Sequence, residues 1–275
     1  MTVSHKSISF RPVSVTQARK DRERAEREEL ILDHAQRSLL RDGFQNLNLD
    51  DLAKSVEYSK GTLYLHFKTK EDIALAVATR AIRERAEFFE RGAQFEGSSR
   101  ERMRAIGFAC CHFAAVYPDY FSVEMMLKSQ SFWEKADALR QQAHGMEGAR
   151  CFRAVLPIVT DAIEAGDLPR GHLPPERIVF AIASTAVGSH IMGRNMQAMM
   201  SSMAQVHTKT TDRGDTLKRG HQTEAPDPLK MMCQNVDILL DGLGWRPLSK
   251  DMDGDAVDLR IHREIFPEAA WFKPE

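Results

Sequence analysis

Residues 48–71 read Asn48-Leu49-Asp50-Asp51-Leu52-Ala53-Lys54-Ser55-Val56-Glu57-Tyr58-Ser59-Lys60-Gly61-Thr62-Leu63-Tyr64-Leu65-His66-Phe67-Lys68-Thr69-Lys70-Glu71. Asn48 is a strong N-cap residue, and behind it Leu49, Leu52, Ala53 and Val56 share one face of a short helix. A second short helix is expected from Ser59. Its Leu63 and Phe67, four apart, fall on the inward side, which leaves Lys60, Thr62, Tyr64 and His66 largely outward. Lys70, Glu71 and Asp72 then open a long helix whose acidic first turn complements the helix dipole. Upstream, Ile31, Leu32, Ala35 and Leu39 repeat at helical spacing from Arg27 on, and Gly43 followed by Phe44 supplies a stop and an apolar plug.

The rest of the chain is large enough for a second, bigger module: 275 residues, 43% of them hydrophobic, can bury a sizeable core. With 38 Lys and Arg against 39 Asp and Glu the net charge is −1, so affinity for an acidic polymer has to come from a local patch. The four cysteines lie in no CxxC or Cys/His spacing that would hold zinc, and they read as small buried residues of a reducing compartment. No apolar run approaches the roughly 20 residues of a membrane span. The opening residues lack the apolar segment of a secretory signal, so the cytoplasm is the expected address.

Beyond Gly97 the pattern is helix after helix, over about 99–116, 119–128, 132–144, 149–165, 174–201 and 227–243. Breaks are expected at Pro118, at 166–169 and at 174–175, and strand signals are nearly absent. The fold class is therefore all-α. Residues 1–27 are expected to form a flexible basic arm, 28–75 a helix-turn-helix domain, 76–247 a larger helical domain with a polar loop over 205–227, and 248–275 a C-terminal tail. In that tail Ile261, Ile265, Phe266, Trp271 and Phe272 could dock on the body.

A short helix, a four-residue turn over 56–59 and a second helix is the arrangement that places one helix in the major groove of DNA. The words Leu49-Asp50-Asp51-Leu52-Ala53, Ser59-Lys60-Gly61-Thr62-Leu63-Tyr64-Leu65-His66-Phe67 and Lys70-Glu71 resemble the TetR family of bacterial transcriptional regulators. Weaker similarity continues at Glu164-Ala165-Gly166-Asp167-Leu168 and Leu239-Leu240-Asp241-Gly242-Leu243-Gly244. The resemblance implies an all-helical homodimer with an N-terminal DNA-binding domain and a domain that senses a small molecule. The chain departs from the family in its turn, which reads Val56-Glu57-Tyr58-Ser59 where Ala-Gly-Val-Ser is usual, so Glu57 must accept a geometry that glycine accepts freely.

The chemistry of the segment can be read without the family. Ser59 can cap the second helix, whose free N–H groups suit a phosphate, and Gly61 allows close approach of the backbone to a duplex. Lys60 suits guanine O6/N7 and Thr62 the thymine methyl. Tyr64, His66 and Lys70 offer contacts to phosphates, with Asn48 at the start of the first helix. Blander readings stand beside these: Tyr64 can pack between helices, and Lys60 and Lys70 can be ordinary solvated lysines.

In the larger domain a cavity for a small hydrophobic or amphipathic effector can be lined by Phe108, Cys111, His112, Phe113, Tyr117, Met125, Met126, Trp133, Phe152 and Leu156. Stripes of this kind are also ordinary core. Small residues Ala181, Ala183, Ala186, Gly188 and Gly193 on helix 174–201 suggest, with 227–243, a four-helix dimer interface. The leading reading is a ligand-relieved repressor on palindromic DNA. The alternatives are an activator or architectural protein without a ligand and, more distantly, a helical enzyme. No HExxH, GxSxG, P-loop or dinucleotide fingerprint occurs, so neither a catalytic residue nor a cofactor is expected.

Overall fold

The computed structural model describes residues 15–120, 123, 130–171, 173–210 and 227–272, without the side chains of 130, 131, 201 and 203–210. Every regular element among the described residues is helical: α1 (Val15–Asn46), α2 (Leu49–Ser55), α3 (Lys60–His66), α4 (Lys70–Gly92), α5 (Ser99–Val116), α6 (Gln130–Lys135), α7 (Ala138–Ala165), α8 (Pro175–Thr210), α9 (Pro228–Gly242), a 3-10 turn Ser249–Asp251 and α10 (Gly254–Glu264). The chain forms two compact units. One takes the residues up to Ala78 together with 122–141, and the other takes 79–121 and 142 onward.

The smaller unit is built on the apolar stripe of α1. Ile31, Leu32, Ala35 and Leu39 are buried against Leu52 and Ala53 of α2, Leu63 and Phe67, and the start of α4, with Val123, Phe132 and Ala136 closing the cluster. Gly43, at φ 77° and ψ 165°, kinks the end of α1, a conformation that glycine reaches without a steric penalty. The kink lets Phe44 meet the ring of Phe132 edge-on at 5.3 Å. Buried Asp72 ties this unit together: its carboxylate accepts from Lys68 N at 3.2 Å, Thr69 N at 3.1 Å and Asp137 N at 2.7 Å. One side chain thus caps α4 and fixes the junction before α7.

The flexible arm expected over 1–27 is helical from Val15 onward, and its first fourteen residues lie outside the described residues. The arginines that read as a basic run alternate with acidic residues at helical spacing. Arg19 pairs with Glu23 at 2.9 Å, Glu23 with Arg27 at 3.7 Å, and Gln17 bonds Asp21 at 2.9 Å. Each such i,i+4 contact is worth a few tenths of a kcal/mol to a helix, about 0.2–0.5.

In the larger unit α5 is buried on nearly every side. Met103 and Ile106 pack with Val155, Ile158 and Val159 of α7 and Ile178 and Ile182 of α8. Ala105, Phe108 and Ala109 pack instead with Val257, Ile261 and Phe266. Ser98 and Glu101 form a reciprocal cap at its start, which satisfies two N–H groups that burial would otherwise leave open.

Two element boundaries differ from expectation. Residues 138–165 form one helix where a break at about 145–148 was expected. A Cβ at Gly145 or Gly148 would meet nothing within 4 Å, and both glycines lie inside the helix, at a propensity cost of about 1 kcal/mol each. Helix α8 runs on to Thr210, so the first residues of the expected loop 205–227 are helical; 211–226 lie outside the described residues. The tail docks in the way that its apolar residues suggested: Ile261 and Phe266 are fully buried, with Ile265, Trp271 and Phe272 packed against the same cluster.

Arg100, near the start of α5, is fully buried. Its guanidinium donates to Trp245 O at 3.2 Å, to Asp237 Oδ1 at 3.2 Å, to Asp241 Oδ1 at 2.8 Å and to Ser249 Oγ at 2.9 Å. Burial works against the charge of Asp241, but hydrogen bonds from Ser249 and the Arg100 charge outweigh it and hold the carboxyl below its usual range. One side chain therefore joins α5, α9 and the C-terminal segment. Replacing Arg100 with Ala removes the cation that joins these segments, leaving Asp237 with Arg104 and Asp241 with Ser249, and is expected to cost about 3 kcal/mol, the lower end of the range for breaking a buried pair. Urea unfolding of the two proteins measures it, and a loss under about 1 kcal/mol would mean that the network is solvated.

Candidate nucleic-acid interface and effector cavity

Helix α3 is held from beneath. Leu63 and Phe67 are 0% exposed, and the Arg140 guanidinium covers the Phe67 ring at 4.2 Å while donating to His66 O at 2.9 Å. Above these anchors Tyr64 is 47% and Leu65 77% exposed, and Lys60 and Gly61 are exposed. Ser59 caps the helix, its Oγ accepting from Thr62 N at 3.1 Å. Asn48 caps α2 in the same manner through Asp50 N at 2.8 Å. Between the helices Glu57 sits at φ 58°, the single non-glycine residue with positive φ among the described residues. The turn thus keeps a left-handed position without the glycine, at a strain of roughly 1–2 kcal/mol.

A Cβ at Gly61 would meet only Ser59 Oγ, at 3.8 Å. No packing inside the protein requires glycine there.

Two expected contacts are placed differently. The His66 side chain is 5% exposed and faces Glu28 at 3.6 Å, so it points into the unit. Lys70 does not extend freely: its Nζ donates to Gln45 O at 3.1 Å and sits 4.7 Å over the Phe44 ring, neutralising the negative end of α1. Thr62 is half-buried with its hydroxyl bonded to Ser59 Oγ at 2.9 Å, which leaves its methyl as the group that can read a base.

The cations around α3 have acidic partners. Lys60 is bonded to Asp50, Lys54 to Asp51 at 3.1 Å, Arg41 to Asp42 at 2.7 Å, and Lys68 stands 3.8 Å from Asp137. The hydrogen bond with Asp50 pushes the Lys60 ammonium above its usual range. The charge pattern that composition failed to show is therefore local and self-neutralised.

In the larger unit a cavity of about 750 Å³ lies among α5, α9, α10 and the last described residues. Of the ten residues expected to line a pocket, only Phe108 and Cys111 border it. His112, Phe113 and Tyr117 belong instead to an aromatic cluster around Phe88, with ring distances of 5.0, 6.0 and 6.1 Å. Phe152 and Leu156 pack on the core of α5, α7 and α8. Trp133 belongs to the smaller unit, against Phe132, and Met125 and Met126 lie outside the described residues. What sequence missed is the other wall: Arg104, Met232, Cys233, Asp258 and Trp271. Arg104 is bound by Asp258 at 2.7 Å and Asp237 at 3.1 Å, pairs 154 and 133 residues apart that no local pattern announces.

The C-terminal segment seals one side of α5 through a hydrogen bond. Trp271 Nε1 donates to His112 Nδ1 at 3.0 Å, and His112 Nε2 lies 3.6 Å from Glu268. An indole only donates, so Nδ1 accepts and the ring is neutral in this arrangement. Burial pushes the imidazole below its usual range, and Glu268 offsets this only in part. His144 is pushed the same way by burial.

A two-helix reading unit with a buried floor and a polar outer face is a helix-turn-helix DNA-binding domain. Residues 31–77 match the model of the N-terminal domain of bacterial regulatory proteins of the tetR family, so the chain carries a TetR-family DNA-binding domain. The fold of the whole agrees. A tetR-family regulatory protein from Rhodococcus RHA1 is 16% identical with a TM-score of 0.53, over 79% of this chain and 97% of that one. The regulator FadR from Bacillus subtilis, solved with stearoyl-CoA, gives 16% and 0.52 over 78% and 98%. A regulator from Saccharomonospora viridis, solved with choline, gives 16% and 0.52 over 79% and 96%. A sequence comparison with curated proteins gives no match.

Two outcomes follow from this geometry. Asp50→Asn releases Lys60 at little cost to stability, since exposed pairs contribute little. It is expected to tighten duplex binding up to about tenfold at about 0.1 M salt, the value of one added phosphate contact. Fluorescence anisotropy measures it, and unchanged or weaker binding would place Lys60 away from DNA. The second concerns pH. A histidine whose folded-state value is lowered stabilises the neutral, folded form, and that contribution is lost as pH falls below about 6.5. Stability and the burial of Trp271 fluorescence should therefore both decrease between about pH 7 and 5, and a flat profile would contradict the assigned protonation of His112.

Proposed function

We propose that this protein is a transcriptional repressor that binds a palindromic operator as a homodimer and leaves it when a small hydrophobic or amphipathic effector binds. The observation that carries the reading is the outward face of α3, where Lys60, Gly61, Tyr64 and Leu65 stand exposed over a fully buried floor. Lys60 and the Thr62 methyl read base edges, while Tyr64 and the Asn48 end of α2 contact the backbone.

The second subunit is another copy of this chain, docked on the exposed side of α8 and α9. Phe180 and Ile238 there are each 69% exposed, accompanied by Met192, Met196 and Met199. Apolar exposure of this size supports an interface. Gly193, by contrast, serves the packing of α8 on α9 within one chain, since a Cβ there would come 3.0 Å from Pro228 Cα. Two-fold symmetry spaces the half-sites about 34–36 Å apart or a multiple of that.

The effector occupies the cavity bordered by Phe108, Met232 and Trp271. Structures of like fold solved with stearoyl-CoA or with choline support the presence of an effector, without fixing its size. Release from DNA then follows from linkage between two binding free energies. No catalytic role is assigned to any residue. A cytoplasmic location is part of the reading, and among the described residues no helix is long and apolar enough to cross a membrane.

Selection of genomic fragments retained by the purified protein gives the operator. Lys60→Ala and Thr62→Ala are then expected to relax preference at one base pair each by about tenfold, and Tyr64→Phe to weaken all duplexes alike. A protein that is monomeric at working concentration and indifferent to duplex DNA at low salt would end the reading. Gel shifts with and without cell extract separate the repressor from a ligand-free activator or architectural protein, which no extract would release.

A further inference from the structure

We propose that Cys111 and Cys233 form an oxidisable thiol pair, which an organic hydroperoxide entering the cavity converts into a disulfide between α5 and α9. The two sulfurs stand 3.0 Å apart although 122 residues separate them in the chain, and a disulfide needs them only about 1 Å closer. All four cysteines are free. Cys110, next in sequence, faces the Met232 sulfur at 3.9 Å instead.

The two members of the pair differ in setting. Cys111 is buried, and its hydrogen bond with Cys233 together with burial pushes its thiol well above the usual range. Cys233 is half-buried on the cavity wall, which Arg104 also lines. A sulfur in a partly exposed site beside a cation is the setting in which thiols react with oxidants. Among charged residues of the same cavity, Phe108, Met232 and Trp271 provide an apolar stretch that can hold the organic part of a hydroperoxide, which a more polar oxidant lacks.

In the first step the Cys233 thiolate attacks the terminal oxygen of the hydroperoxide. The O–O bond breaks, an alcohol leaves with the thiol proton, and Cys233 becomes a sulfenic acid. In the second step the Cys111 sulfur attacks that sulfur. The S–S bond forms, the S–O bond breaks, and the departing hydroxide takes the Cys111 proton as water. Two thiols and one hydroperoxide thus give one disulfide, one alcohol and one water.

The test treats the reduced full chain with cumene hydroperoxide or with hydrogen peroxide, blocks remaining thiols and maps the peptides by mass spectrometry. The expected product is an intrachain link between the peptides holding Cys111 and Cys233, two mass units lighter, reversed by dithiothreitol and formed faster with cumene hydroperoxide. Cys110→Ala should form it unchanged. Cys111→Ala should stop at a sulfenic acid on Cys233 that dimedone traps, and Cys233→Ser should leave Cys111 reduced. A link through Cys110, a link between chains, sulfinic acid on Cys233 without a disulfide, or four intact thiols would each overturn the proposal. Should either variant fail to fold, the wild-type peptide map decides.

Discussion

A helix of seven residues does not persist in water by its own hydrogen bonds, because nucleating a helix costs more than so few turns return. Helix α3 exists because Leu63 and Phe67 are driven into a floor made by α1, α2 and the start of α4. The Arg140 guanidinium stacks on that floor and fastens the last carbonyl of α3. Everything the outer face can do in a groove, the orientation of Lys60 as much as the exposure of Tyr64, is set by that inward anchoring. The recognition surface is a consequence of core packing, and capping by Ser59 adds direction rather than most of the stability.

The larger unit repeats the logic around a different centre. Helix α5 carries apolar residues on three sides, and each side organises a different cluster. On its enclosed sides the charges have no solvent to turn to, so Arg100 and Arg104 are satisfied by Asp237, Asp241 and Asp258. Buried ions of this kind contribute little net energy over an apolar pair, but they fix which helices meet. The cavity lies where the apolar packing of α5 on α9 gives way to those ions.

Much of this could be read in the residues themselves. The spacing of Ile31, Ala35 and Leu39, the caps Asn48 and Ser59 and the pair Leu63 and Phe67 are local signals, and the elements they announce formed within a few residues of where they were placed. Glu57 was legible as well, since the absent glycine required an unusual backbone there. What failed was long-range. His66 turned inward because Glu28, 38 positions earlier on α1, lies beneath it; Lys70 met the end of α1 across 25 residues. The cavity wall came from α9 and the C-terminal segment, which no periodicity joins to α5. Trp133 fell to the smaller unit because α6 packs there, a choice of partner that an apolar pattern does not encode.

The acidic partners of Lys60, Lys54 and Arg41 have a thermodynamic meaning for any encounter with a polyanion. Association with DNA is driven largely by the entropy of small cations set free into bulk as protein charges take their place. Here each ammonium or guanidinium must first be handed over by a carboxylate fixed to the same fold, and that carboxylate cannot diffuse away. The aspartates remain near the phosphates and retain a cation of their own, so part of the gain is returned. In the repressor proposed above, such a surface would grip random duplex weakly and leave discrimination to the fit of its side chains against base edges.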